Sequence, residues 1–475
     1  MESPIKFGTD GWRGIIARDF TFANVAICAQ GVADYLLQTG KGKQGILIGY
    51  DTRFASEDFA RTSAEVIAAN GIKVYLSPKV TPTPVVSYGV AAGKLDGGIM
   101  ITASHNPGAW NGFKYKTPDG ASAPEKVVKE IEACVTRRYT KGGVKQITIE
   151  SARKKGLLEE PDLDPPYFAQ LGRLLNLAEL RRAKLRVVVD PMFGAGIGYL
   201  RRLLEGGNIE LREINSERNP AFPGMKQPEP VAGNLGLLGA TVKKEGAALG
   251  IATDGDADRV GIMAENGKFI STLETFALLC LYFLKVRGER GAIIKTITNT
   301  SMTYRLAEIY HVPVKETRVG FSWVAPLMAS ENALIGGEES GGYGFRGHIP
   351  ERDGILAGLY FIDFIEKTSK SPSALLEELY KLVGAHYFNR IDLTFPEENR
   401  QEIMKRVRDK SPSSIDGVKV AKVDDIDGFR FTLVDGSWLL IRFSGTEPLL
   451  RIYSESDSPK RVDSLLELGR EFAGV

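Results

Sequence analysis

The sequence predicts an α/β protein, with three similar α/β units in tandem followed by a small α+β cap. Three observations carry this. The chain has 475 residues, more than the roughly 250–300 at which a single core stops growing. Apolar, β-branched runs recur along it, each closed by a polar turn and followed by a stretch with helical period. Those runs are continuously apolar instead of alternating, as strands buried on both sheet faces are.

Taken in order, the opening residues 1–14 lack an apolar stretch of the kind that marks a secretory signal. Residues 45–51 read as the first strand and 59–69 as its helix; 98–101 read as a further strand. Residues 137–166 are rich in Lys, Arg, Gly and Pro and read as a connector, with a β-like piece at 146–149. The first domain is therefore expected at 1–150. A strand at 185–190, a helix at 199–204 and a strand at 249–252 define a second domain over 151–267, ending at Asn266-Gly267. Residues 276–286 are apolar but far shorter than the ~20 residues of a membrane helix, and read as a buried helix. With a strand at 292–295 they form a third domain over 268–383, ending near Gly384. The fourth, 384–475, carries strands at 429–434 and 438–443 and a helix at 459–472.

The 61 basic and 59 acidic residues give a net charge of +2. That balance favours neither a nucleic-acid nor a membrane-surface partner, so any positive charge that matters must be concentrated in a site. Cys28, Cys134 and Cys280 are far apart and odd in number, which speaks against a disulfide framework or zinc knuckle and fits a reducing cytoplasm.

Four loops carry candidate chemistry. Thr102-Ala103-Ser104-His105-Asn106-Pro107 presents the Ser104 hydroxyl at the C-terminal end of a strand, where ligands gather in open α/β sheets. Lys114, a few residues on, can set a cation beside it. Asp254-Gly255-Asp256-Ala257-Asp258-Arg259 places three carboxylates at alternate positions, a spacing suited to one hard cation such as Mg2+. In Gly336-Gly337-Glu338-Glu339-Ser340-Gly341-Gly342, Glu338 and Ser340 suit hydroxyl groups, as on a sugar. In Arg442-Phe443-Ser444-Gly445-Thr446-Glu447-Pro448, a guanidinium, hydroxyls and exposed N–H groups suit phosphate. Each loop taken alone could be a plain polar turn; together they point to phosphoryl transfer.

Other patterns mislead. Counting from Asp254, Glu265 takes the last place of an EF-hand loop, but Arg259 stands where that loop needs glycine. The glycines at 194, 196 and 198 miss the dinucleotide spacing, since Tyr199 holds the last position. Asp425-Ile426-Asp427-Gly428 mimics a phosphatase motif outside a βαβ setting. His105, His311, His348 and His386 show no metal-ligand spacing.

With Gly8-Thr9-Asp10-Gly11-Trp12-Arg13-Gly14, these loops occur in an order and spacing that resembles the α-D-phosphohexomutase family over nearly the whole chain, and within it the phosphoglucomutases most. The resemblance implies four domains around a central cleft, three of them related α/β domains with mixed sheets. It implies that Ser104 carries the phosphoryl group and that Asp254, Asp256, Asp258 and a phosphoserine oxygen hold Mg2+. Arg13, His105 and Lys114 match positions that support catalysis, and Arg259 a place beside the metal loop. Glu338 and Ser340 match sugar-hydroxyl contacts; Arg442, Ser444, Gly445 and Thr446 match the site of the non-reacting phosphate. The implied reaction interconverts glucose 1-phosphate and glucose 6-phosphate through glucose 1,6-bisphosphate, which also serves as activator. The implied partners are small sugar phosphates.

Two departures bear on the sugar. Gly342 stands where mannose- and glucosamine-phosphate relatives commonly have histidine, which favours glucose. Ser322 stands where many relatives have lysine; Lys295, Arg352 or His348 are candidates to compensate, Arg352 matching a basic position in phosphoglucomutases. The rival readings are a phosphomannomutase, a dual-specificity enzyme, a phosphoglucosamine mutase, a glucose 1,6-bisphosphate synthase and a non-catalytic sugar-phosphate sensor. Oligomeric state is not readable.

Overall fold

A computed structural model describes residues 4–8, 10–410, 412–443 and 449–474. It contains four sheets. The first holds β1 (Trp12–Ile15), β2 (Ile46–Tyr50), β3 (Val74–Leu76), β4 (Gly98–Ile101), β5 (Trp110–Lys116) and β6 (Leu158–Glu159). The second holds β7 (Arg186–Asp190), β8 (Glu210–Glu213), β9 (Leu249–Thr253), β10 (Val260–Ala264) and β11 (Phe269–Ile270). The third holds β12 (Ile293–Thr296), β13 (Val314–Thr317), β14 (Ile335–Gly337) and β15 (Tyr343–Phe345). The last is antiparallel: β16 (Tyr387–Thr394), β17 (Ser414–Ile415), β18 (Val418–Asp424), β19 (Phe429–Leu433), β20 (Trp438–Phe443) and β21 (Leu449–Ser456).

The first three sheets repeat one topology. In each, a leading strand (β2, β7, β12) pairs in parallel with the next strand on one side and the one after on the other. A fourth strand (β5, β10, β15) then returns antiparallel beside the third. These mixed sheets make the three units relatives, which sequence identity alone was too low to prove. The repeat also makes three turns equivalent: β4–β5 carries Ser104, β9–β10 carries the three aspartates, and β14–β15 carries Glu338 and Ser340.

The leading and third strands are apolar because helices cover both of their faces. Strands β2, β4, β9 and β10 are buried along their whole length. One core joins the three units: Val85 and Val90 from the first, Tyr199 and Ile251 from the second, and Phe276 and Phe361 from the third. The units are thus held in fixed relation, and the equivalent turns converge where they meet. The C-terminal sheet packs one face on the helices Arg400–Asp409 and Pro459–Ala473.

Two expectations about the connector need correction. Residues 146–149 form no strand. Thr148 caps a helix, Ile149–Lys154, by accepting from the Ser151 N–H, so capping prevails over the β-branched composition. Strand β6 pairs with β3, which carries the first sheet past residue 150. The apolar segment at 276–286 lies in the helix Thr272–Leu281 and a following π-turn, Tyr282–Val286. No described helix is long and apolar enough to cross a membrane.

Candidate active site

The turn after β4 holds Ser104 in a left-handed backbone conformation, φ +51°, which costs a non-glycine residue about 1–2 kcal/mol. Its surroundings over-determine that shape. The Ser104 N–H donates to Thr102 Oγ1 (2.8 Å), and that hydroxyl donates to Asp51 Oδ2 (2.5 Å). Arg53, wholly buried, donates to the carbonyls of Ser104 (2.6 Å), Asn106 (2.6 Å), Pro107 (2.9 Å) and Trp110 (3.0 Å). Its Nε pairs with Asp51 at 3.1 Å. Asp51 and Arg53 close β2, the neighbour of β4, so the sheet itself brings this clamp beneath the loop.

Ser104 Oγ donates to Asp254 Oδ2 at 2.8 Å, joining the first loop to the second. Gly255 makes the approach possible: a Cβ there would lie 2.4 Å from the Ser104 carbonyl oxygen. The other oxygen of Asp254 accepts the N–H groups of Asp258 (3.0 Å) and Arg259 (3.1 Å), folding the loop back on itself. Burial, then the like charges of Asp258 and Asp256, push Asp254 well above the usual carboxylate range.

This donor set fits a hard divalent cation. The three carboxylates offer oxygens that lie within 4.8 Å of one another, and all three residues are buried. Asp256 Oδ1 and both oxygens of Asp258 meet no hydrogen-bond donor among the described residues. Arg352 Nη2 stands 2.9 Å from Asp258 Oδ2 as an ion pair, out of line for a hydrogen bond. Orphaned buried carboxylate oxygens are costly unless a cation meets them.

Cations surround the cluster. Lys114 Nζ, buried, lies 2.8 Å from Asp10 Oδ2 and 3.1 Å from Asp256 Oδ2. Burial disfavours its charge, but Asp10, Asp256 and Asp258 outweigh that and hold the ammonium above its ordinary value. Asp256 also accepts from Thr83 Oγ1 at 2.7 Å. Arg13 Nη1 donates to Asn106 Oδ1 at 2.6 Å, which places it over the serine loop. Arg259 Nη1 donates to Glu229 at 3.3 Å, and its Nε stands 4.0 Å from Asp254. The His105 ring reaches Ser104 Oγ at 3.4 Å. Burial, then Arg259 and Arg13, hold its pKa well below the ordinary imidazole value.

The third turn is tied to the second: the Val260 N–H donates to the Gly341 carbonyl at 3.0 Å. Glu338 is buried, and burial pushes its pKa up to about 7 against the pull of Arg352, whose Nη1 lies 3.3 Å away. Ser340 is half-buried at the tip of the turn. Arg352 also reaches Asp10 (3.2 Å) and Glu351 (3.1 Å). It fills the space beside Gly342, where a Cβ would lie 2.3 Å from Arg352 Cδ. Glu351 in turn accepts from Lys116 (2.5 Å) and Ser122 (2.6 Å) of the first unit.

The structure therefore brings together Ser104, His105, Lys114, Arg13, the three aspartates, Arg259, Glu338 and Arg352. It places two of the compensating candidates elsewhere. Lys295 gives its donors to the carbonyls of Asn299 (2.9 Å) and Thr300 (3.1 Å) and to Glu316 (3.2 Å), leaving none for a sugar phosphate. In this arrangement Lys295 braces the junction with the C-terminal domain through Glu316. His348 is sealed in, with Nε2 2.9 Å from Asp353 and its ring stacked on Tyr88 at 5.8 Å. Arg442 closes β20 and donates to Asp427 Oδ2 at 2.8 Å. Ser444, Gly445 and Thr446 lie outside the described residues.

Asp10 and Thr102 lie inside motifs read from the sequence, but no role was assigned there to them or to Asp51, Arg53, Thr83 and Glu351. Asp51-Thr52-Arg53 did carry a signal, as a carboxylate and a guanidinium directly after a buried strand. Glu351 carried none, because Lys116 and Ser122, which donate to it from the first unit, are more than two hundred residues away in sequence.

A serine, a carboxylate triad and a ring of cations, set on three copies of one turn, define a phosphotransferase site built by internal repetition. Sequence models for domains I, II and III and the C-terminal domain of phosphoglucomutase/phosphomannomutase match residues 4–141, 165–267, 273–383 and 402–468. The chain belongs to this family, the α-D-phosphohexomutases, which are isomerases that move phosphate within a sugar. It is 31% identical to the phosphoglucomutase/phosphomannomutase of Thermococcus kodakarensis, covering 98% of this chain and 97% of that one. It is 28% identical to the phosphoglucosamine/phosphogalactosamine mutase of Sulfurisphaera tokodaii, covering 97% of each. The crystal structure of a "putative phosphomannomutase" from Thermus thermophilus superposes with a TM-score of 0.86 at 34% identity over the full length of both chains.

Proposed function

We propose that the chain catalyses the Mg2+-dependent interconversion of glucose 1-phosphate and glucose 6-phosphate through a phosphoserine at Ser104. The observation that carries this is the Ser104 Oγ–Asp254 Oδ2 contact of 2.8 Å beside orphaned oxygens of Asp256 and Asp258. Asp254, Asp256, Asp258 and a phosphoserine oxygen would hold Mg2+, which when bound supplies neutralising charge to the transferring phosphoryl group.

The residues divide the remaining work. Ser104 gives its phosphoryl group to a hydroxyl of the sugar monophosphate, so the serine P–O bond breaks as one to the sugar forms. The sugar hydroxyl gives up its proton as the new bond forms, and the departing Ser104 Oγ takes one up, so the serine ends as a free hydroxyl beside the His105 ring. The bisphosphate then turns over, and its other phosphate returns to Ser104. Lys114, Arg13 and Arg259 neutralise the charge of about −1.5 to −2 that a phosphoserine brings. Glu338 and Ser340 accept and donate to sugar hydroxyls in both orientations. Arg442 binds the phosphate that is not reacting.

Glucose is favoured over mannose because Arg352 takes the space that a side chain at 342 would need. The amino-sugar mutase among the relatives makes glucosamine phosphate the specific competitor. A coupled assay with glucose, mannose and glucosamine 1-phosphates, with Mg2+ and trace glucose 1,6-bisphosphate, tests the choice. The glucose ester should turn over fastest. Comparable rates, or a faster amino sugar, would reassign the substrate.

A further inference from the structure

The glycine-rich stretch after β7, Phe193-Gly194-Ala195-Gly196-Ile197-Gly198, lies against the metal loop. The Ala195 N–H donates to the Gly255 carbonyl at 2.9 Å. A Cβ at Gly194 would lie 2.8 Å from the Gly255 carbonyl oxygen and 2.9 Å from that of Asp254. A Cβ at Gly196 would lie 2.6 Å from Thr253 Oγ1 and 3.3 Å from the Ala257 Cβ. Two glycines thus let one backbone rest directly on another. The stretch is not open to a dinucleotide. Residues 191–196 are buried, and the Gly198 N–H donates to Glu213 Oε1 at 3.1 Å, which sets a carboxylate where a phosphate would need to lie.

The backbone leading into it is held in a shape its own residues disfavour. Met192 and Phe193 follow each other at φ +50° and +58°, and Asn215, beside them, is at φ +48°. Left-handed backbone is costly for residues that carry a Cβ. One buried carboxylate organises all three. Asp190 Oδ1 accepts the Met192 N–H at 2.8 Å, and Asn215 Nδ2 donates to both Asp190 oxygens, at 3.1 and 3.0 Å. The Phe193 N–H donates to the Asn215 carbonyl at 2.9 Å. Strain imposed by the surroundings at one spot points to a task there.

The other two units show what that task is. In each, the residues just after the leading strand support the working turn of the same unit. After β2, Arg53 holds the carbonyls of the serine turn. After β12, Thr298 Oγ1 donates to Glu339 Oε2 of the sugar turn at 2.5 Å. After β7 that place is taken by the glycine-rich stretch, which works through its backbone. We infer that Gly194, Gly196 and the Asp190–Asn215 pair are positioning residues for the metal: they seat the loop that aims Asp254, Asp256 and Asp258 at one cation. The inference deepens the mutase reading and rests on its Mg2+ site. Metal–ligand distances hold to about 0.2 Å, less than a methyl group at Gly194 or Gly196 would displace the loop.

Mn2+ is the probe, its free concentration read by electron paramagnetic resonance. Gly194→Ala and Gly196→Ala should each weaken Mn2+ binding about ten- to a hundredfold. The Mg2+ concentration that half-saturates turnover should rise by the same factor, while KM for glucose 1-phosphate at saturating Mg2+ stays within about twofold. Asn215→Gly keeps the left-handed backbone and removes both hydrogen bonds to Asp190. It should weaken Mn2+ binding by a smaller factor, about threefold. If neither alanine variant folds, Asn215→Gly decides alone. Wild-type Mn2+ affinity in Asn215→Gly and in whichever alanine variants fold overturns the inference and leaves the mutase reading standing. A wild type that binds Mn2+ but turns over no sugar phosphate removes the mutase reading; weakened variants would then support the inference for the metal site alone. A wild type that binds no Mn2+ removes the site and both readings with it.

Discussion

The Arg53 guanidinium faces four carbonyl oxygens and one carboxylate and has no contact with solvent. Its role is to fix the loop that presents Ser104. Arg53→Met would leave Asp51 buried and unpaired, so a loss of about 3–5 kcal/mol is expected, together with a fall in kcat. Denaturant unfolding and kinetics read both; an unchanged kcat would free Ser104 from this clamp. Glu338 offers a test by pH. Its pKa is raised from 4.5 to about 7, so in that window the folded state holds more protons than the unfolded one. Stability from this group therefore falls as pH rises from about 4.5 through about 7. Glu338→Gln should remove that slope, and the difference in melting temperature between wild type and variant should shift against the wild type as pH rises. A flat difference would mean that burial does not perturb Glu338. At this scale the sequence was legible wherever residues adjacent in the chain share a task, as Asp254, Asp256 and Asp258 do. It was not legible for Asp10 or Glu351, each of which the fold sets between cations of the first and third units. Nor did it announce the carbonyls and Glu316 that hold the Lys295 ammonium.

One strand arrangement used three times gives three equivalent turns, and each carries a different task. That economy explains why the motifs recur at wide intervals and end buried strands. The turns must nearly touch, and Gly255 is the contact. Gly255→Ala would drive a methyl to 2.4 Å from the Ser104 carbonyl oxygen and push the two loops apart. A misplacement near 1 Å costs roughly a hundredfold in rate, so kcat should fall by about that factor with the far-ultraviolet dichroism unchanged. Retained activity would show that the loops can separate without harm. The strands were legible because their burial makes them continuously apolar. The connector was harder: Ile147, Thr148 and Ile149 have strand-like composition, but the Thr148 cap starts a helix there. Strand β6 has only two residues and leaves almost no pattern to read.

Across the whole molecule, the first three units share a core, whereas the C-terminal domain meets the third through a small apolar cluster, Ile297 with Trp438 and Leu440, ringed by ion pairs. Arg430 reaches Glu316 at 2.5 Å and Asp424 at 2.9 Å, and Glu316 also pairs with Lys295. Glu455 accepts from His386 at 2.7 Å and from the Ser301 N–H at 3.0 Å, where the chain enters the last domain. These ion pairs fix the C-terminal domain against the third unit beside the turn that carries Glu338 and Ser340. Glu316→Gln should weaken the docking and raise KM for sugar phosphate more than it lowers kcat; equal effects on both would place the residue in the chemistry itself. The tandem α/β units and the α+β cap were legible in the sequence. The shared core was not, because a pattern of apolar positions does not say which unit they face.

The central claim is that Ser104 carries the phosphoryl group. It is tested most directly by incubating the protein with glucose 1,6-bisphosphate and Mg2+, digesting it and locating phosphate by mass spectrometry. The account predicts one phosphate per chain, on the peptide that contains Ser104, and none on the Ser104→Ala protein. Phosphate on another residue, or turnover of glucose 1-phosphate with Ser104 unmodified and replaceable, would contradict it.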